Sequence, residues 1–499
     1  MLHNALLLTG VELLLRGISM LFQRYLVTII GASGIGLLQL ILSVGGFAMT
    51  LGLSGLRVSA MYLCAEEYGS GRLYGMRQAT LCCLRAGAVI SSLVGAGFFL
   101  LSGYAAKTWI GDIRAAQALR LLAIFLPVNC CCAILSGFFT ACDRVRELTR
   151  VEAVERLAGL ALTFVLLWFW AGQDAQRACS AIILGSSIAC VGSTIFQFSM
   201  FQKACRSYGA GKTDCTMPRR LTKLCVPLAL SAYLRSGLAT LEQFLIPWGL
   251  GRHGGSYEAS MAAYGTIHGM VFPILMFPAA ILYTLADLLV PELARCRAEE
   301  NTRRIQHLTQ TCLRMGLLFA LSVACLAGSL SKGLGELFYR SAACGQYLLV
   351  FAPMAVMLYM DAMVDGMLKG LGEQVACVRY NTITSFLDAA LLYLLLPRCG
   401  IGAYILTFFF THAVNFYLSI RKLLRVTGYR IRPGFLLRTL FCAAGGLGGS
   451  FCIPDAGLLP AIILRAGLYL SVFLLFLELT GTLTQSDRRW LRRSLGLRL

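Results

Sequence analysis

Charge is what this sequence lacks most. Only 14% of its 499 residues are Asp, Glu, Lys or Arg, against about 25% in an ordinary soluble domain. Acid is scarcer than base, with 24 Asp and Glu against 44 Lys and Arg, giving a formal net charge of +20. With 58% hydrophobic residues and a mean hydropathy of +0.72, this composition excludes a soluble enzyme. The positive residues lie between apolar runs rather than on one polar domain, which excludes a nucleic-acid partner. None of the 20 cysteines forms a CxxC pair, so the spacing supports no metal site and no redox motif. Most sit inside apolar runs, as Cys82 and Cys83 or Cys130, Cys131 and Cys132 do, where a thiol is a small hydrophobe. Nucleophile elbow, His-rich metal spacing and Walker-type loop are all missing, so no catalytic constellation and no cofactor are expected. The first apolar run carries Glu12, Arg16 and Arg24 and lacks a small-residue cleavage site, so it reads as a retained helix.

What is present is length of apolar run. Stretches able to cross a bilayer fall at 5–30, 35–62, 81–104, 117–142, 151–170, 178–201 and 221–249. Seven more follow at 259–289, 311–330, 346–366, 375–396, 401–420, 435–452 and 459–480. Backbone groups in lipid must be satisfied within each segment, so these spans are helices. The ~10-residue alternation of a membrane β-barrel is missing. The expected class is therefore an all-α integral membrane protein of about fourteen spans. Lys and Arg outnumber their counterparts several-fold on alternate connections, which places both termini in the cytoplasm under the positive-inside rule.

The two halves echo one another. Leu15-Arg16 precedes Gln23 by seven residues from the arginine, and Leu234-Arg235 precedes Glu242 in the same way. Ser136-Gly137-Phe138 near the end of span four parallels Asp365-Gly366-Met367 near the end of span ten. A duplicated six-helix unit follows, with lobes at 1–201 and 224–420, a basic linker at 202–223, and helices thirteen and fourteen with a basic tail at 421–499. The linker carries Lys203, Arg206, Lys212, Arg219, Arg220 and Lys223, either as a solvated topology signal or as a contact for anionic headgroups.

Charge inside a span costs at least ~2.5–3.5 kcal/mol at the helix centre, so depth separates candidates from tolerated residues. Arg85, Arg120, Arg156, Arg314, Arg379, Arg438 and Arg465 lie within two turns of a span end and can snorkel. Arg16 and Arg235 lie deep and occupy equivalent repeat positions. Two such cations flanking a central interface would hold an anion, and the guanidinium fork suits phosphate. Arg16 can also pair locally with Glu12, one turn earlier. Arg24 and Arg57, nearer their span ends, are further substrate-binding candidates. Glu242, Asp361, Asp365 and Asp388, with Glu12, are candidates for cation coupling or for balancing the buried arginines. Sodium, protons or the membrane potential are the candidate drivers. His268 and His412 read as packed, hydrogen-bonded residues or as proton relays, and Pro273, Pro278 and Pro353 as kinks or hinges.

Arg16 followed by Ile30-Gly31-Ala32-Ser33-Gly34-Ile35-Gly36-Leu37-Leu38-Gln39 resembles the first-helix signature of the stage V sporulation protein B and polysaccharide-flippase group. The resemblance continues in Leu53-Ser54-Gly55-Leu56, Val58-Ser59-Ala60, Ala65-Glu66 and Val154-Glu155-Arg156. It extends through Tyr264-Gly265, Gly269-Met270, Phe272-Pro273, Pro278, Leu289-Val290-Pro291-Glu292 and Leu368-Lys369-Gly370-Leu371-Gly372, covering roughly 10–430. That group belongs to the multidrug/oligosaccharidyl-lipid/polysaccharide exporter superfamily and is related to lipid II flippases. The resemblance implies two pseudo-symmetric lobes, alternating access and a bacterial plasma membrane. It also implies a polyprenyl-pyrophosphate-linked saccharide as substrate, carried from the inner to the outer leaflet in wall, spore-cortex or polysaccharide synthesis. Arg16 matches an arginine position that contacts pyrophosphate in the lipid II flippase branch, and Arg24 matches approximately. Arg57 stands where the group usually has proline, and Arg235 rests on the repeat alone. Rival readings are a cation-coupled multidrug antiporter and a non-transporting partner of cell-wall synthesis proteins.

Overall fold

The computed structural model describes residues 2–482 except 54, 143, 173, 207–213, 431–432 and 454–458. No strand occurs among the described residues. The helices are α1 (Leu2–Leu53), α2 (Leu56–Gly69), α3 (Leu73–Ala105), α4 (Ala115–Ala141), α5 (Val145–Leu166), α6 (Ala175–Arg206), α7 (Met217–Arg252) and α8 (Tyr257–Thr266). They continue as α9 (Phe272–Ala298), α10 (Thr302–Ser329), α11 (Ser331–Tyr339), α12 (Ala342–Phe351), α13 (Met354–Gly370), α14 (Gln374–Thr427), α15 (Pro433–Ser450) and α16 (Leu459–Leu479). The fourteen apolar stretches lie largely on these helices. Among the described residues ten helical stretches are long and apolar enough to cross a membrane, or eleven if the bent pair α12 and α13 is one span. The count of ten runs across breaks inside two long helices. Gly31 in α1 (φ 66°, ψ −179°) and Gly400 in α14 (φ 59°, ψ −143°) are non-helical, and both take the positive φ that glycine alone adopts cheaply. The chain is a multi-pass helical membrane protein.

The helices sort into two compact units, 29–247 and 1–28 with 248–499. This differs from lobes drawn at the basic linker. The first stretch of α1 packs with the second half of the chain, and α7 up to Pro247 packs with the first half. Ile29 to Trp248 is a step of 219 residues, as are Arg16 to Arg235 and Gln23 to Glu242. Each six-helix repeat therefore gives its first helix to the other unit.

In the N-terminal unit (29–247), glycines set the closest approaches. A Cβ on Gly137 of α4 would lie 2.6 Å from the Arg57 carbonyl of α2, and one on Gly95 of α3 would lie 2.7 Å from the Ala123 carbonyl of α4. Small residues in membranes let backbones meet in this way. Tyr233 and Thr240 of α7 donate to the carbonyls of Leu51 and Ser43 at 3.2 and 3.4 Å, seating α7 on the second stretch of α1. At its polar end Arg220 binds Glu66, Glu67 and Asp214 at 2.8, 2.9 and 3.2 Å, and Arg72 also reaches the buried Glu67. Arg220 is thus held by an ion-pair network, while Lys203, Arg206, Arg219 and Lys223 are exposed. Lys212 lies outside the described residues.

In the C-terminal unit (1–28 and 248–499), Gly366 and Gly370 of α13 face Ala286 and Val290 of α9. A Cβ at either would come within 2.8 Å of its neighbour. This small-xxx-small seam fixes α13 and with it the carboxylates of Asp361 and Asp365. Side-chain caps from Ser256, Asn301 and Ser341 begin α8, α10 and α12. Pro353 stands at the 55° bend between α12 and α13.

Candidate functional site

The C-terminal unit holds Arg16, Arg24, Asp361, Asp365 and Asp388, while Arg57, Arg235 and Glu242 belong to the N-terminal unit. Two groups of polar contacts organise the first set.

The first group ties α1 to α9 and to the π-turn before it. Arg16 is half-buried and donates from Nη1 to the Met276 carbonyl at 3.0 Å. Gln23, two turns on, donates from Nε2 to the Gly269 carbonyl at 3.1 Å. Both donors and both acceptors are seven residues apart, so the segments run antiparallel with contacts about 10 Å apart along the axis. The acceptors have a local origin. Pro273 has no N–H to offer the Gly269 carbonyl, its partner in a regular α-helix. The ladder there is already widened into a π-turn at Ile267–Val271. Pro278 removes the helical donor of the Ile274 carbonyl, and just beyond it the Leu275 carbonyl accepts from Tyr359 and the Met276 carbonyl from Arg16. At Gly269 a neighbouring side chain thus re-satisfies a carbonyl the proline leaves without its donor, as hydrocarbon demands. Glu12, the local alternative partner of Arg16, lies outside the residues whose side chains are described.

The second group lies across α13 and α14. Asn415 donates to Asp361 Oδ2 at 2.7 Å, and Asn381 donates to Asp365 Oδ2 at 3.4 Å. Thr384 reaches Asn415 Oδ1 at 3.4 Å, and Thr411 donates to Asp388 Oδ1 at 2.8 Å. The buried Oδ1 atoms of Asp361 and Asp365 have no hydrogen-bond partner among the described residues. Tyr283 of α9 lies within electrostatic reach of both Arg16 and Asp361, so the two groups adjoin. Chemically this is a set of hard oxygen donors with surplus negative charge, fit to hold a proton or a small hard cation beside a fixed guanidinium.

The remaining candidates are placed more simply. Arg24 is half-buried on α1. Arg57 and Arg235 are exposed, and Glu242 is half-buried on α7. His268 hydrogen-bonds Tyr404 at 3.0 Å inside a cage of Tyr264, Phe272 and nearby rings, and His412 bonds the Phe408 carbonyl at 3.0 Å. Arg465, expected to snorkel, is instead buried with its guanidinium over Phe451 at 5.5 Å. It lines an apolar cavity of about 540 Å³, and a second of about 620 Å³ is rimmed by Arg314 and Arg438. A cation–π face offsets the cost of burying that charge.

Sequence reasoning missed Asn381, Thr384, Thr411 and Asn415. Their signal was present. Asn381, Thr384 and Asp388 fall at i, i+3 and i+7, while Thr407, Thr411, Asn415 and Ser419 recur every four residues within apolar runs.

The family model for polysaccharide biosynthesis proteins matches residues 1–281, more than half of the chain. The chain belongs to the polysaccharide biosynthesis protein family. Among curated proteins it is 20% identical over 410 residues to stage V sporulation protein B of Bacillus subtilis (strain 168), covering 80% of this chain and 79% of that one. Among solved structures it resembles the lipid II flippase MurJ in an inward closed conformation, with TM-score 0.69 and 13% identity. That match covers 95% of this chain and 98% of the flippase. It also resembles an inward-facing multidrug-resistance MATE transporter of the MOP superfamily, with TM-score 0.63, 13% identity, and 84% and 96% coverage. The expected resemblance and the all-α, two-repeat membrane fold are therefore borne out by membership and by fold.

Proposed function

We propose that this family member flips a polyprenyl-pyrophosphate-linked saccharide from the inner to the outer leaflet of a bacterial plasma membrane by alternating access, with both termini cytoplasmic. The carrying observation is Arg16, a cation deep in a span of a polysaccharide biosynthesis protein, held by the Met276 carbonyl of the facing helix. A doubly charged pyrophosphate cannot enter hydrocarbon alone, and preset guanidinium donors replace its water. Arg24 of the C-terminal unit and Arg57 and Arg235 of the N-terminal unit are further candidate contacts for the pyrophosphate. The apolar cavity rimmed by Arg314 and Arg438 suits a lipid-linked rather than a free sugar substrate. Asp361, Asp365 and Asp388 couple the cycle to sodium or protons, and Glu12 and Glu242 balance the arginine charge.

Translocation of a fluorescent undecaprenyl-pyrophosphate disaccharide in proteoliposomes tests the proposal. Quencher-accessible signal should cross leaflets faster than in protein-free vesicles, and unlabelled lipid pyrophosphate should compete while lipophilic cations should not. Competition by lipophilic cations alone would assign the chain to drug antiport instead.

A further inference from the structure

A polar seam in the N-terminal unit takes no part in the reading above. Cys190, Ser193, Thr194 and Gln197 fall at i, i+3, i+4 and i+7 on one face of α6. They meet Cys132 and Ser136, one turn apart on α4. The Cys132 and Cys190 sulfurs lie within 4.8 Å of each other. Gln197 Nε2 lies 3.3 Å from Cys132 Sγ, and Ser193 Oγ lies 3.8 Å from it. A third helix closes the group. Gly185 against Thr163, and Gly159 against Ala189, bring α6 close to α5 in antiparallel register. The next turn of that register sets Glu155 opposite Ser193. Glu155 Oε2 is 4.0 Å from Cys132 Sγ. One ligand atom each from Cys132, Glu155 and Cys190 lies within 4.8 Å of the others.

We propose that Cys132, Glu155 and Cys190 form a binding site for one thiophilic divalent cation of the zinc class. Metal–sulfur bonds of about 2.3 Å and metal–oxygen bonds of about 2.1 Å in a tetrahedron need separations near 3.8 Å between sulfurs and 3.5 Å between sulfur and oxygen. The observed group reaches that size by closing by about 1 Å at most, within side-chain rotation. Two thiols select against hard cations such as sodium or magnesium and favour a d10 ion. The fourth position falls to the Ser193 hydroxyl or to water. On binding, each thiol gives its proton to solvent and each sulfur donates a lone pair to the metal. The cation keeps its +2 charge and no electron is transferred. Three ligands from three helices would pin α5 to α4 and α6. With ligands at 132, 155 and 190, a search for closely spaced cysteine pairs misses the site. This inference does not depend on the flipping reading.

The full-length protein in detergent, stripped by chelator, should bind one equivalent of zinc against a chromophoric competitor. With cobalt as the spectroscopic probe it should show thiolate-to-metal charge transfer. Cys132→Ser, Cys190→Ser and Glu155→Gln should each weaken binding at least tenfold. A measurement without substitutions guards against misfolded variants. Zinc should slow alkylation of Cys132 and Cys190 in the wild-type chain and leave the exposed Cys215, Cys399 and Cys452 unprotected. Failure of the wild type to hold zinc, a cobalt spectrum unchanged in both serine variants, or a Cys132–Cys190 disulfide in freshly purified protein would each overturn the proposal.

Discussion

Gln23 donates its side-chain amide to the Gly269 carbonyl, the acceptor that Pro273 cannot serve. This single bond explains how a helix interrupted by proline persists in a membrane, and it ties the first stretch of α1 to the C-terminal unit. A double-mutant cycle checks it. Gln23→Ala alone should cost about 1 kcal/mol of stability, the scale of an interhelical bond in a membrane protein. In a Pro273→Ala background the restored N–H serves Gly269, and the same change should cost close to nothing. Thermal unfolding in detergent reads both. Equal costs in the two backgrounds would separate Gln23 from the proline break.

The seam between α9 and α13 should be intolerant of bulk. A Cβ at Gly366 would lie 2.8 Å from the Ala286 side chain and 3.0 Å from its carbonyl, so Gly366→Val should destabilise by about 1–3 kcal/mol. Gly402→Ala, with nothing within 4 Å of its added carbon, is the control and should be neutral within about 0.5 kcal/mol. Melting temperature and the yield of monodisperse protein measure the difference.

Glu67 is buried and held by Arg72 and Arg220, so removing Arg220 leaves the buried carboxylate with Arg72 as its one remaining cation. Arg220→Ala should lower stability by about 1–3 kcal/mol, and adding Glu67→Gln should recover part of that loss because the under-compensated buried charge is gone. Hydrogen exchange across α2 and the start of α7 would rise in the single variant and fall back in the double. An additive pair would contradict the ion-pair account.

Asp361 is the carboxylate with the shortest amide contact in the cluster of α13 and α14, and it lies within electrostatic reach of Tyr283. Asp361→Asn should abolish the response of flipping to a sodium or proton gradient while leaving gradient-independent exchange within about twofold. Asp287→Asn, on the exposed face of α9, should leave the response intact. Flipping rates under imposed gradients decide between coupling and simple charge balance.

The apolar runs were legible because a membrane helix writes its length and hydropathy directly into composition. Arg16 was legible by its depth. Its partner was not, because a backbone carbonyl has no side-chain signature, although Pro273 marked the Gly269 acceptor of Gln23. The stripe of Thr407, Thr411 and Asn415 was legible in spacing but passed unread, since hydroxyls and amides stand out less than charges in an apolar run. The exchange of first helices between units could not be read at all. It is decided by which surfaces pack, and the repeat specifies only that the two helices are equivalent.

Initial rates of leaflet translocation of an undecaprenyl-pyrophosphate glycan test the central claim most directly, with wild type beside Arg16→Ala, Arg16→Lys and Arg235→Ala. Arg16→Ala and Arg235→Ala, folded and reconstituted equally, should each fall at least tenfold. Arg16→Lys should fall between, because an ammonium keeps the charge but loses the bidentate fork. Wild-type rates in both alanine variants would contradict a basic site that carries the lipid pyrophosphate across the membrane.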